Sequence, residues 1–199
     1  PTLTYGFSED AAYRIRDVKS DQRQCFFTID RPDDLPSLSI NLSIPGRHNA
    51  LNAAAAIAVA SDEGLSDQAI VTALREFGGV GRRFEKIGDY PVKDGTATLY
   101  DDYGHHPTEV QATIQAVCDG WADQRLVMIF QPHRYTRTRD LYEEFVGVLS
   151  TVDVLLVLDV YSAGEEVIGG ATSKTLCGSI RQRGHIDPIY VANLEDVPE

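Results

Sequence analysis

Residues Leu99–Pro107 read "LYDDYGHHP": an apolar lead-in runs into two aspartates, a tyrosine, a glycine and two adjacent histidines, and a helical pattern follows the proline. A strand that empties into a polar loop with a helix behind it puts its polar groups at the carboxyl edge of a sheet. Open α/β folds bind ligands there. Two later strands end alike, in "QPHRYTRTR" after Phe130 and "DVYSAGE" after Leu158. Three such loops on one edge would make a site.

Working outward, the strand patterns "TATLYD", "RLVMIF", "DVLLVLDV" and "PIYV" alternate with helix patterns at Pro107–Val117, Arg139–Leu149 and Ser173–Arg183. Continuous apolar strands separated by helices predict an α/β fold with a mainly parallel sheet covered on both faces. Pro107 suits the first turn of its helix, where a missing N–H costs nothing.

The texture before Gly81 differs. "TLTYG" is β-rich, "YRIRDV" and "QCFFTI" read as a hairpin turning near Ser20–Arg23, and "SLSINLSI" alternates as a half-buried strand does. The alanine-dense "NALNAAAAIAVA" (Asn49–Ala60) predicts a helix that can approach another backbone closely. Ser66 is placed to cap a second helix reaching about Phe77. "FGGVGRRFE" follows, and its three glycines mark a domain boundary or hinge at Gly78–Gly81.

Of the 199 residues, 43% are hydrophobic and 24% charged, with a net charge of −12. Such an acidic chain has no general attraction for nucleic acid or anionic membrane. A local arginine cluster could still bind a phosphorylated ligand. Cys25, Cys118 and Cys177 are odd in number, widely spaced and without a CxxC pair. They predict reduced thiols in a cytoplasmic protein. No apolar run approaches the roughly 20 residues of a membrane span, and no signal peptide opens the chain.

Several groups of residues carry chemistry. Asn49 and Asn52 lie one helical turn apart, just after His48. Their amides can donate to and accept from a purine edge, although an N-cap and a solvated amide would explain them equally. Arg82 and Arg83 could clamp a phosphate in a bidentate fork, or pair with Glu85 on the surface. Asp101 and Asp102 could hold ribose hydroxyls or simply end a strand. Arg134, Arg137 and Arg139 fall within six residues and would repel one another without an anion or nearby acids. Their place after a buried strand favours a carboxylate or phosphoryl ligand.

His105 could donate a hydrogen bond or act as a general base. A zinc site on His105, His106, Glu109 and His133 is the weaker reading. Adjacent histidines point apart in most backbones, and no HxxxH pair is present. "GGATSKT" (Gly169–Thr175) lacks the glycine before the lysine that a phosphate loop needs, and "GGVG" does not follow a strand. The chain has neither a triphosphate-cradling loop nor a GxSxG elbow.

Taken in order, "GRHNALNAAAA", "GVGRRFE", "DDYGHHPTEV", "FQPHRYTRTRDL" and "DVYSAGE" resemble the Mur ligases of peptidoglycan synthesis, from about Ser43 onward. The resemblance implies an enzyme of three domains: a UDP-sugar domain, a central P-loop ATPase and a Rossmann-like C-terminal domain. Residues 1–80 would be the C-terminal part of the central ATP-binding domain, and 81–199 a truncated Rossmann-like ligase domain. The lack of a P-loop agrees with that cut. The family's final glycine-rich strand-turn is expected beyond Glu199.

The reaction so implied uses ATP and Mg2+ to phosphorylate the lactyl carboxylate of UDP-N-acetylmuramate. The amine of L-alanine then attacks the acyl phosphate, and phosphate leaves. Such chemistry needs cations around the phosphoryl group and close placement of the amine. By motif, His48, Asn49 and Asn52 would lie at adenine, Asp102 at the ribose hydroxyls and Arg83 at the terminal phosphate after domain closure. Tyr103, His105, His133, Arg134 and Arg137 would line the place where the amino acid meets the acyl phosphate. Ligands for Mg2+ would lie mostly in the remainder of the central domain, with none among these residues. Alone, the fragment is expected to bind nucleotide weakly and to be inactive. The alternatives are the recycling ligase that attaches a tripeptide to the same sugar nucleotide, a non-catalytic nucleotide-binding module and, more distantly, a zinc hydrolase.

Overall fold

The computed structural model describes residues 2–21, 24–93 and 95–197. They form two compact units, the first running to Tyr103 and including Ala112–Ala122, the second holding Gly104–Gln111 and the chain from Asp123 on.

The first unit is built on a four-stranded sheet of β1 (Tyr5–Gly6), β2 (Tyr13–Asp21), β3 (Gln24–Asp30) and β4 (Leu38–Leu42), in that order. β1 pairs with β2 in parallel, and the other pairs are antiparallel. The expected hairpin is therefore present. Gln22 and Arg23, in its predicted turn, lie outside the described residues. Strand alternation decides the core. Cys25, Phe27 and Ile29 stand opposite Leu42, Ile40 and Leu38, and all six are buried. They meet Ala50, Ala53, Ala54, Ile57 and Ala58 of α1 (Arg47–Asp62). The small side chains let this helix lie close on the sheet. α2 (Asp67–Glu76) starts as expected, with the Ser66 hydroxyl accepting from the Ala69 N–H at 3.3 Å.

Arg31 ties these elements together. Its guanidinium forks onto Asp67 at 2.8 and 2.9 Å, and its Nε donates to the Pro36 carbonyl at 2.9 Å.

One expectation is corrected here. "TATLYD" does not extend the parallel sheet: as β6 (Gly95–Asp101) it pairs antiparallel with β5 (Glu85–Val92) in a sheet of two strands. β5 carries Gly88, Asp89 and Pro91, which hide a strand from propensity. Proline is tolerated there because a two-stranded ribbon has only edges. α3 (Pro107–Gly120) follows, its first five residues in the second unit and the rest in the first. Phe84, Tyr100 and Trp121 form an aromatic cluster with centroids 4.6–6.1 Å apart.

The second unit holds the parallel sheet β7 (Val127–Phe130), β8 (Val154–Leu158) and β9 (Ile189–Val191), with β8 central and buried from Leu155 to Leu158. The helix expected over 139–149 is two: α4 (Tyr135–Asp140) and α5 (Tyr142–Leu149). Leu141, at φ −114° and ψ 25°, leaves helical geometry and serves as the junction. α6 (Ser173–Gln182) closes its first turn through Thr172 and Thr175, each side chain accepting from the other's backbone N–H. Leu176, Cys177 and Ile180 of α6 and Phe145, Val146 and Leu149 of α5 are buried, and the Tyr142 hydroxyl meets Ser179 Oγ at 2.9 Å. The three cysteines are free thiols. Among the described residues no helix is long and apolar enough to cross a membrane.

Candidate active site

The sequence-predicted residues gather in two groups, one in each unit. In the first, α1 begins at Gly46, whose φ of 100° and close surroundings demand glycine: a Cβ would stand 2.7 Å from His48 Cε1. The His48 ring thus folds back over the helix start. Burial lowers its pKa, Asp102 opposes that shift and Arg83 adds to it, so these three share one neighbourhood. A neutral imidazole results at neutral pH. Asn49 donates its amide N–H to the Pro45 carbonyl at 2.7 Å, and Asn52 is exposed one turn later.

The segment bearing Arg83 is clamped to the end of β6. Arg82 and Phe84 both adopt left-handed backbone, at φ 58° and 51°. Non-glycine residues hold such angles only when their surroundings over-determine them. Here the Phe84 N–H donates to Asp102 Oδ2 at 2.9 Å and the Tyr103 N–H to the Arg82 carbonyl at 2.6 Å. Arg82 Nε reaches Asp101 at 3.1 Å, and the Arg82 N–H donates to Glu85 at 2.6 Å. The Arg82 and Arg83 guanidiniums lie 5.0 and 5.8 Å from the Tyr103 ring centroid. Asp102 therefore shapes the loop as well as facing His48. A cleft of about 350 Å³ adjoins this segment, lined by Ser43–Pro45, Gly78–Gly81, Arg83–Lys86 and Tyr100.

The first group thus brings together a neutral imidazole, two amides one turn apart, a carboxylate and an arginine. Among the described residues no three His, Cys, Asp or Glu side chains gather to hold a metal ion, so no step is assigned to Mg2+ here.

The second group lies at the carboxyl ends of β7 and β8. Beyond the strands, His133 and Tyr161 form a further parallel bridge, with the Tyr161 N–H donating to the Pro132 carbonyl and the Arg134 N–H to the Tyr161 carbonyl, both at 2.8 Å. This fastens the two strand-end loops together. Arg134 takes φ 74° and forms the N-cap of α4, while its carbonyl accepts from the Thr138 hydroxyl at 2.8 Å. Arg137, one turn on, donates to the His133 carbonyl at 3.2 Å and faces His133 Nδ1 at 3.5 Å. The His105 and His133 ring centroids are 6.1 Å apart. Burial, then Arg137, His105 and Arg134, lower the His133 pKa, partly offset by Glu165. Of the five residues expected around the amino acid, His105, His133, Arg134 and Arg137 belong to this group, and Tyr103 belongs to the first unit.

The residues weighed for zinc have another task. Glu109 Oε2 accepts from the His105 and His106 N–H groups at 3.0 and 3.1 Å, and His106 Nδ1 accepts from the Thr108 N–H at 3.3 Å. Together these side chains take up backbone N–H groups at the N-terminus of α3.

One residue of this group was not singled out from sequence. Glu165, after β8, accepts from the Thr136 N–H at 2.9 Å and its hydroxyl at 2.7 Å, and stands 3.9 Å from Arg134. The available signal was charge: an acid closing one strand-end loop when the neighbouring loop holds three arginines.

Parallel strands joined by helices, with cationic loops at the carboxyl ends of β7 and β8, make the second unit an α/β domain. Comparison with known families gives its place. The model described as "Mur ligase, glutamate ligase domain" matches residues 82–199, and "Mur ligase middle domain" matches 1–60. The chain belongs to the Mur ligase family.

Among solved structures it is similar to the UDP-N-acetylmuramate-alanine ligase of Thermotoga maritima. The two are 26% identical over 99% of this chain and 41% of that one, with a TM-score of 0.78. Two others share the fold: a murein peptide ligase of Psychrobacter arcticus (23% identity, 98% and 39% coverage, TM-score 0.58) and the folylpolyglutamate synthase of Mycobacterium tuberculosis complexed with ADP (18%, 94% and 39%, 0.68). The chain spans about two-fifths of the length of these relatives.

Proposed function

We propose that the full-length protein carrying this chain is an ATP-dependent amide ligase of peptidoglycan precursor synthesis, joining L-alanine to UDP-N-acetylmuramate through an acyl phosphate. The observation that carries this reading is the cluster of Arg134, Arg137, His133 and His105 at the ends of β7 and β8. Arginine matches a carboxylate in bidentate geometry, and a small amino acid presents a carboxylate next to its reacting amine. On this reading Arg134 and Arg137 hold that carboxylate. His133, kept neutral by burial and by its cationic neighbours, and His105 face the amine and position it or take up its proton.

ATP supplies the phosphoryl group that activates the lactyl carboxylate. In the first unit, Asn49, Asn52 and His48 fit the base, Asp102 the ribose, and Arg83 the terminal phosphate. Arg83 lies between two residues in left-handed backbone, a loop geometry set before any ligand arrives. We place the domain boundary at 80/81, between the stretches that the two family models match (1–60 and 82–199).

The test is ADP release by the full-length protein. ADP formed only with UDP-N-acetylmuramate and L-alanine together supports the reading. Dependence on tripeptide assigns the recycling activity instead. No ADP with either acceptor, from folded protein, favours a non-catalytic nucleotide-binding module.

A further inference from the structure

We propose that Glu165 is a positioning residue for the amino-acid carboxylate site: from the loop after β8 it supplies the helix cap that Arg134 cannot, and so fixes Arg134 for its ligand. The proposal deepens the ligase reading and rests on it.

The argument begins with an anomaly at the start of α4. N-cap positions favour Ser, Thr, Asp or Asn, whose side chains accept from the first exposed N–H groups of the helix. Here the N-cap is an arginine at φ 74°, with no side-chain cap hydrogen bond. A guanidinium has donors only, so it cannot cap. The missing acceptor comes from 29 residues away: one Glu165 oxygen takes the Thr136 N–H at 2.9 Å and the other takes the Thr136 hydroxyl at 2.7 Å. The backbone of Arg134 is held on both sides, by the Tyr161 carbonyl and by Thr138.

The side-chain geometry is also informative. Glu165 Oε1 lies 3.9 Å from Arg134, beyond hydrogen-bond range, and Arg134 is half exposed. The carboxylate therefore attracts the guanidinium without engaging its donors. A ligand carboxylate would find them oriented and available. Hydrogen bonds from Thr136 also hold Glu165 ionised, with its pKa below the usual carboxylate range. It supplies negative charge beside Arg134 and acts on Arg139, whose main partner is Asp140 at 2.7 Å. The function of Arg134 and the stability of α4 thus place opposite demands on position 134, and Glu165 reconciles them.

The experiment uses the full-length protein with Glu165→Ala, which removes cap and charge, and Glu165→Gln, which keeps an acceptor and removes charge. Glu165→Ala is expected to raise KM for the amino acid about tenfold and Glu165→Gln about threefold, with KM for ATP and for the sugar nucleotide essentially unchanged. In an Arg134→Ala background, neither substitution should raise the amino-acid KM further. A fall in kcat with all KM values unchanged, or full additivity with Arg134→Ala, overturns the proposal. If Glu165→Ala does not fold, Glu165→Gln decides alone.

A second readout needs no substrate. Burial, then Arg137, His105 and Arg134, hold the His133 pKa down and Glu165 opposes them, so Glu165→Gln should lower that pKa in an NMR titration. An unchanged value overturns the proposal. Wild-type protein that releases no ADP with any acceptor refutes the ligase reading, whereas the His133 titration still tests what Glu165 does to its cluster.

Discussion

Arg31, in the first unit, has a side chain only 2% exposed and its donors are engaged by the protein itself: two on Asp67 and one on the Pro36 carbonyl. Arg134, in the second unit, is 50% exposed, and the ion pair its guanidinium makes is the loose one with Glu165 at 3.9 Å. The head groups are identical and the surroundings opposite. An arginine whose hydrogen bonds are completed within the fold holds elements together. On the proposed function, an arginine fixed through its backbone and half exposed, like Arg134, is prepared for a ligand. Arg82 lies between these cases, with Nε on Asp101 and its guanidinium near the Tyr103 ring.

The comparison breaks if the two arginines exchange effects. Arg31→Ala should destabilise the first unit by about 3 kcal/mol, because it removes charge-assisted hydrogen bonds and leaves the Pro36 carbonyl without its partner. Denaturant unfolding measures this, and kinetic constants of the folded full-length protein should remain near wild type. Arg134→Ala should do the reverse. On the proposed function it lowers kcat/KM for the amino acid about a hundredfold, which corresponds to about 2.7 kcal/mol, while the unfolding midpoint moves little. An Arg134→Ala protein with normal kinetics and a large loss of stability would show that the half-exposed arginine is structural.

Helix starts sharpen the same contrast at smaller scale. α2 is capped by its own Ser66, whereas α4 is capped by Glu165 from another loop. Ser66→Ala should cost about 1 kcal/mol of stability with no kinetic signature. A change in substrate KM from Ser66→Ala would contradict the division between local caps and caps that serve a site.

That division also explains what the sequence could tell. Ser66, Pro107 and the alanine run of α1 act within a few residues of themselves, so the helices they start or fill were legible. β8 was legible for a similar reason, since burial on both faces writes itself as an unbroken apolar run; β7 carries the same apolar run, but the structure leaves Val127 and Ile129 exposed and buries Phe130. β5 was not, because Gly88, Asp89 and Pro91 are tolerated only through its pairing with β6. The role of Glu165 depends on a contact between loops far apart in sequence. His105 and His106 were legible as candidates but open in role, since two histidines and a glutamate at that spacing suit a metal or the start of a helix. The hydrogen bonds of Glu109 to both backbone N–H groups account for the spacing without a metal.

The smallest expected effect is the acid dependence of the Arg31 site. Hydrogen bonding to Arg31 lowers the pKa of Asp67 below its ordinary 3.8. A carboxylate whose folded pKa is depressed contributes stability that is complete above the unfolded pKa and disappears as pH falls through the folded one. The first unit should therefore weaken below about pH 3.8. Asp30 adds a term of the same sign, its pKa held down by hydrogen bonds from Arg16 and Ser37. Both aspartates are substantially exposed, at 46% and 36%, so solvent screening keeps each contribution modest. In Arg31→Ala the Asp67 part vanishes and the Asp30 part remains, so the stability of that variant should fall less steeply with acid than that of wild type. Equal slopes in urea titrations at pH 3 and pH 6 would show that Asp67 gains nothing from Arg31. Arg31 would then act through its packing and the Pro36 carbonyl alone.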